Sequence, residues 1–169
     1  MQIIKRISIK YFRSCYNVSI NNLSESLTVF TGPNDVGKSN ILRALNLFFN
    51  NETDSHMQFD FETDFSQAKK KELKKQKEKQ IVKIAVTFVN VLKYESLPDE
   101  FTAEKVWYRD NTSTPLTWKQ PKNEKFNISS ATRFFNKLIF LYIPAIKDRN
   151  TFENVVEHLK TSLPSPKSF

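Results

Sequence analysis

Apolar and polar residues alternate along residues 2–10, where Ile4, Ile7 and Ile9 interrupt polar positions, and this predicts a half-buried strand. Residues 16–20 form a second short β-type run, its hairpin partner. The run LTVFT at 27–31 is β-rich and apolar, predicts a third strand, and leads straight into GPNDVGKSN. There the period changes. Ile41, Leu42, Ala44, Leu45, Leu47, Phe48 and Phe49 fall at helical spacing, and the helix should end near Asn50 and Asn51. Residues 51–66 are acidic and irregular, a solvated loop with Asp60, Glu62 and Asp64. Asp64 or Ser66 is placed to cap the Lys-rich helix that follows. Residues 80–90 alternate and are β-branched, a strand. Residues 106–109 and 116–119 predict a hairpin around 111–115, with Trp107 and Trp118 packing across it. Residues 129–136 predict a short helix. The continuous apolar run LIFLYI at 138–143 reads as a fully buried strand stopped by Pro144. Residues 151–160 predict a helix with Phe152, Val155, Val156 and Leu159 on one side. The alternation of β and helical periods is that of an α/β domain over 1–160, with 161–169 a linker or truncated end.

Composition narrows the classes. The 15 Phe supply a core, and a single Cys excludes a disulfide framework or a multi-cysteine zinc site. Cys15 reads as a half-buried hairpin residue, and His56 and His158 stand unpaired. The longest near-apolar run, 138–146, is too short to span a bilayer, and the first ten residues lack the apolar stretch of a signal peptide. The expectation is a cytoplasmic protein with no membrane contact.

The chain has only 2 glycines, against roughly 12 at average usage of about 7%. Both fall in Gly32–Ser39, GPNDVGKS, which fits G-x-x-x-x-G-K-[ST], the Walker A phosphate loop. Gly32 and Gly37 let the backbone turn tightly and approach phosphates with no Cβ in the way. The amides of Gly32, Pro33, Asn34, Asp35, Val36 and Gly37 then form the loop, proline giving shape rather than a donor. The following helix turns its positive end toward the same place. Lys38 supplies an ammonium to the β- and γ-phosphates, and Ser39 offers a hydroxyl to Mg²⁺. The chemistry is ATP with Mg²⁺. No glycine remains for a GTPase switch motif or an ABC signature, and no apolar strand ends in Asp-Glu. No catalytic residue is therefore visible in this chain, which reads as half of an ATPase. A small-molecule kinase would need an arginine-rich lid, and Arg133 and Arg149 do not make one.

Charge is uneven. Of the net +8, the segment 67–80 (QAKKKELKKQKEKQ) contributes +5 through seven Lys and two Glu, leaving +3 for the rest. One reading is an electrostatic contact of Lys69, Lys70, Lys71, Lys74 and Lys75 with nucleic acid phosphates. The other is a solvated polar helix, for it holds one Leu and no aromatic residue.

The opening IKYFRSCYNVSI, a strand, and then GPNDVGKSNILRALN, all within residues 1–50, resemble the SMC/RecF/OLD group of ABC-type P-loop ATPases. The segments FLYIPAIKDR (140–149) and FDFETDFS (59–66) resemble parts of the SMC-like ATPase subunits of Lamassu-type antiphage systems. The resemblance implies an ABC-type head N-lobe, with a mixed sheet and an antiparallel β subdomain. Its C-terminal lobe and coiled coil would lie outside this chain. It further implies that Arg13 reaches the nucleotide phosphates or links DNA contact to ATP. Asn34 and Asn40 match the asparagines of the loop and of the residue after the Mg²⁺ serine. Two heads would sandwich ATP as a homodimer, couple engagement to DNA, and act with an effector subunit, a nuclease, in a defence complex. The alternative is an OLD-like lobe serving as a nucleotide-dependent interaction module for a partner effector, without DNA dependence. Asp35 stands where SMC proteins carry glycine, and no glutamine follows 138–143.

Overall fold

The computed structural model describes residues 2–21, 23–33, 37–54, 56–73, 80–119, 125–144, 153 and 156–157. The expectations for Asn34, Asp35, Val36, Lys74 and Lys75, for the C-terminal segment 161–169 and for most of the helix 151–160 lie outside these.

The alternating N-terminal runs pair as a hairpin, β1 (Ile4–Phe12) and β2 (Cys15–Asn21). The helical period after the glycines gives α1 (Lys38–Asn50). It stops at Asn51, whose left-handed φ of 60° lets its N–H return to the Leu47 carbonyl at 3.1 Å. A two-strand ribbon, β3 (Glu52–Asp54) and β4 (Met57–Gln58), leads into the short helices α2 (Phe61–Asp64) and α3 (Gln67–Leu73). Then come β5 (Ile81–Val89), β6 (Glu100–Tyr108), β7 (Thr117–Lys119) and α4 (Ile128–Phe135). One five-stranded sheet, order β2-β1-β5-β6-β7, is antiparallel throughout.

The period of two sorts the sheet faces. Ile7, Ile9, Ile84, Val86, Phe88, Phe101 and Ala103 face α1 and α4, and join Ala44, Leu47, Phe48, Ala131 and Phe134 in one buried cluster. Phenylalanine makes this core: Phe88 lies 5.9–6.2 Å from the rings of Phe49, Phe101, Phe134 and Phe135. Phe49 stacks on Phe135 and Phe140. The opposite face is polar. The Thr87 and Thr102 hydroxyls pair at 2.9 Å, and Glu104 is held between Lys83 (2.7 Å) and Lys119 (2.9 Å). Lys105 reaches under the end of α1, donating to the Phe48 carbonyl (2.9 Å) and Asn51 Oδ1 (3.1 Å). It gives the helix the C-terminal cation its own last turn lacks.

Four expectations change. Residues 27–31 form no strand and pair with none among the described residues, and Leu27 and Val29 are 72% and 67% exposed. Residues 138–143 are likewise no strand: Ile139 and Ile143 lie open while Leu138 and Phe140 pack against the core, Phe140 stacking onto Phe49. A buried strand needs a ladder partner for its backbone, and among the described residues neither run has one. Among the described residues the sheet is antiparallel, and with α1 and α4 packed on it the expected α/β lobe is formed. The second hairpin also differs. β6 begins at Glu100, because Phe101 and Ala103 continue the alternation, and β7 pairs with Thr102–Glu104 rather than 106–109. Trp118 therefore sits opposite Ala103 and packs on Phe101 and Phe126, while Trp107 lies across from Val82 beside Phe59. Finally, 51–66 is no solvated loop: it holds β3, β4 and α2, and Phe61, Phe65 and Asp64 are buried. Asp64 gives Oδ1 to Arg13 and Oδ2 to Asp60 N at the start of α2, so the residue that stands before the Lys-rich helix is Ser66, whose carbonyl accepts from Lys70 N.

No helix among the described residues is long and apolar enough to cross a membrane.

Candidate nucleotide-binding site

The glycines do what their lack of Cβ permits. Gly32 has φ 142° and Gly37 φ 95°, both in the region L side chains rarely enter. Gly37 is the N-cap of α1; its carbonyl accepts from Asn40 N at 3.0 Å, and no side chain caps the helix. The first turn holds no acidic residue. Among the described residues, the Lys38 and Ser39 amides have no hydrogen-bond acceptor. Uncapped amides at the positive end of a helix are a seat for an anion. Lys38 folds back over this end, donating to the Gly32 carbonyl at 2.8 Å and to that of Pro33. Its three donors take the nearest acceptors, which phosphate oxygens would replace. Ser39 is exposed next to it. This donor set fits the triphosphate of a nucleotide, with Ser39 available to a Mg²⁺ ion.

The turn between β1 and β2 forms a wall of the site. Ser14 Oγ accepts from Asn40 Nδ2 at 2.8 Å, and a Cβ built on Gly37 would stand 2.4 Å from that oxygen. Asn40 is thus engaged with protein: Arg43 Nη1 also donates to its Oδ1 at 3.4 Å, and Arg43 Nε donates to Asp54 Oδ2 at 2.9 Å. Burial and then the neighbouring Asp54 push the Tyr142 hydroxyl above its ordinary value. Arg13, in the same turn, has φ 47° and donates through Nε to Asp64 Oδ1 at 2.7 Å.

The basic segment is only partly free. Lys69 is buried, its ammonium 5.0 Å above the Tyr11 ring and 3.5 Å from Glu72, so it is removed from any solvent-facing contact. Lys70 pairs with Glu62 at 2.6 Å, and the hydrogen bond from Lys70 holds that carboxyl below its usual range. Lys71 is exposed. Cys15 is buried rather than half-buried, and burial raises its thiol. His56 is exposed. Among the described residues no group of His, Cys, Asp and Glu can hold a metal.

Sequence reasoning missed Ser14, Arg43 and Asp64 as parts of this neighbourhood. Ser14 stood inside the FRS motif and was in view; Asp64 meets Arg13 from 51 residues away and left no local signal.

Comparison with curated proteins finds no match. Among solved structures, one from work on the ATP-driven dimerisation and DNA-stimulated activation of SMC ATPases aligns at 17% identity. It covers 91% of this chain and 90% of that one, with a TM-score of 0.56. Smc head domains from Pyrococcus furiosus (22% identity, TM-score 0.51) and Pyrococcus yayanosii (17%, 0.51) cover 71% and 95% of this chain. The chain spans 31% and 36% of the length of these two. At such identities the likeness is one of fold: the α/β N-lobe of an SMC-type P-loop ATPase head. The family model for an AAA ATPase domain matches residues 1–165, and the chain belongs to that family.

Proposed function

We propose that this chain is the nucleotide-binding N-terminal lobe of an SMC-like ATPase that binds ATP with Mg²⁺ and couples engagement of two heads to DNA. The observation that carries the reading is the loop end: a left-handed Gly37, an uncapped helix N-terminus and Lys38 within reach of the loop carbonyls. The amides and Lys38 would hold the phosphates, and Ser39 would meet Mg²⁺. Bound there, the ion neutralises charge developing on the phosphates. The motifs of the second half of such an ATPase are absent from the sequence, so hydrolysis belongs to a larger assembly.

The exposed apolar runs at 27–31 and 138–143 support a C-terminal lobe as partner. Leu27, Val29, Ile139 and Ile143 are what a completing sheet would cover. Pairing of two heads and work with an effector nuclease in antiphage defence rest on the sequence resemblance, and a cytoplasmic location on the single Cys and the short apolar runs of the sequence.

The partner-module reading without DNA dependence has one observation in its favour: Lys69 is buried and Lys70 is paired with Glu62 at the surface. Titrating ATP–Mg²⁺ into wild type and Lys38→Ala tests the nucleotide reading. Binding that Lys38→Ala abolishes supports it, and equal binding by both ends it. Duplex DNA binding that weakens and loses salt dependence on Lys70→Glu and Lys71→Glu separates the two functional readings.

A further inference from the structure

We infer that β2 is a docking edge for a second copy of this chain: two β2 strands pair antiparallel about Val18 and join two five-stranded sheets into one, without nucleotide. The sheet has two edges, β2 and β7. β7 is closed to such pairing, because it is three residues long and ends in Lys119, whose ammonium lies 2.9 Å from Glu104. β2 carries no such protection. It is seven residues long and keeps one register against β1, from Phe12↔Cys15 to Arg6↔Asn21, with no bulge. Although 26% of the chain is charged, CYNVSIN contains no Lys, Arg, Asp or Glu, and no Pro or Gly. Among the described residues no strand lies on its outer side, so that row of backbone donors and acceptors has no ladder.

The edge is ordered before any partner arrives. At its turn end the Tyr16 ring meets Tyr11 edge-on at 5.3 Å, and its hydroxyl donates to Glu72 Oε2 at 2.7 Å. Past its other end Leu23 N donates to the Lys5 carbonyl at 3.3 Å. A docking strand therefore has little to organise. Pairing about Val18 sets Asn17 opposite Ser19 of the second copy, amide against hydroxyl, on the side where Asn17, Ser19 and Asn21 are exposed. On the other side Val18 and Ile20 pack on the core but are only half-buried, and a second copy covers what is left of them. A protein of net +8 associates with itself only where like charges stay apart. The cations flanking β2 on the polar side, Arg6 and Lys10, sit on β1 opposite Asn21 and Asn17. Three strand spacings of about 4.8 Å put the two β1 strands roughly 14 Å apart, beyond a Debye length of about 8 Å. An extended peptide from another protein would meet the same backbone groups, but only a second copy brings the matching side chains on both sides of the strand.

The test measures self-association of this chain by sedimentation equilibrium from micromolar to millimolar concentration, in the absence of nucleotide, with folding checked by circular dichroism. Wild type should dimerise. Asn17→Lys combined with Ser19→Lys sets lysine against lysine twice across the two-fold axis, at exposed positions, and should weaken the dimer about tenfold or more. Asn17→Asp combined with Ser19→Asp should weaken it likewise. An equimolar mixture of the two double variants should dimerise again, because each lysine then faces an aspartate. A monomeric wild type overturns the inference, as does a mixture that fails to recover. So does a dimer indifferent to the lysines, such as one formed through the exposed runs at 27–31 and 138–143. Should the double variants fail to fold, amide hydrogen exchange of wild type decides. Protection along 15–21 should rise with protein concentration, and exchange there that ignores concentration overturns the proposal. No nucleotide enters these measurements, so their failure leaves the nucleotide reading standing.

Discussion

Replacing Gly37 by alanine tests how the phosphate loop is locked to the first hairpin. Two costs add at this position. Alanine in a left-handed conformation loses about 1–2 kcal/mol relative to glycine. The new Cβ would also stand 2.4 Å from Ser14 Oγ, which no real contact tolerates. Ser14 is a short side chain and can rotate away, but it then leaves the 2.8 Å hydrogen bond from Asn40 Nδ2, worth about 1 kcal/mol. The expected loss is about 2–3 kcal/mol, large for a domain whose whole stability is about 5–15 kcal/mol. Urea unfolding of wild type, Gly37→Ala, Ser14→Ala and the double variant separates the terms. In the Ser14→Ala background the nearest side-chain atom to the new Cβ is the Cβ at position 14, at an ordinary 3.5 Å. Only the backbone strain then remains, and Gly37→Ala should cost about 1 kcal/mol less than in wild type. A Gly37→Ala midpoint within about 0.5 kcal/mol of wild type would refute both terms. An equal cost in the two backgrounds would refute the contact and leave the strain.

Phe88→Ala removes the ring at the centre of the aromatic cluster, fully buried and touching four other rings, and should cost about 3–5 kcal/mol by chemical denaturation. Glu104→Gln should flatten the acid limb of the stability curve. Burial alone would raise the Glu104 carboxyl, but hydrogen bonds from Lys83 and Lys119 outweigh it and hold the group below 4.5. A depressed carboxylate stabilises the fold above 4.5 and loses that contribution as pH falls through its folded value. Unfolding measured from neutral pH downward should therefore show a steeper fall in wild type than in the variant. Leu27→Ser and Val29→Ser should leave the stability of this chain within about 0.5 kcal/mol, because both side chains are already in solvent. A loss above about 1 kcal/mol would mean that this run packs into the core after all.

What could be read along the chain was what depends on neighbours in sequence. The hairpin β1–β2 follows from alternation over a dozen positions, and α1 from a helical period beginning right after Gly37. Asn51 ends that helix with a left-handed φ, a conformation asparagine adopts more readily than most residues. The need for glycine at 32 and 37 was legible for the same reason, since both stand where φ is positive. The acidic stretch 59–66 was misread because polarity is a poor guide when a carboxylate has a buried partner. Asp64 looks like a surface residue until Arg13 is brought to it across 51 positions. A short turn alone would set Trp107 against Trp118, whereas the alternation of Phe101 and Ala103 extends β6 and shifts the register so that Trp118 faces Ala103.

The two runs that failed as strands carry a different lesson. LTVFT and LIFLYI are at least as β-prone as residues 81–89, yet only 81–89 is a strand. The difference lies outside the runs themselves. β5 is flanked by β1 and β6, so its amides and carbonyls are satisfied on both sides and its apolar face meets α1. The other two runs meet no partner among the described residues, and apolar pattern alone cannot repay backbone groups left without a ladder. Strand propensity is therefore a statement about what a segment will do when a neighbour arrives. By that reasoning the exposure of Val29 and that of Ile139 have one cause. Among the described residues, the run that enters the phosphate loop at Gly32 has no ladder before that point. A partner strand that paired with it would fix the direction in which the chain enters the loop, and so would act on the phosphate site without touching it.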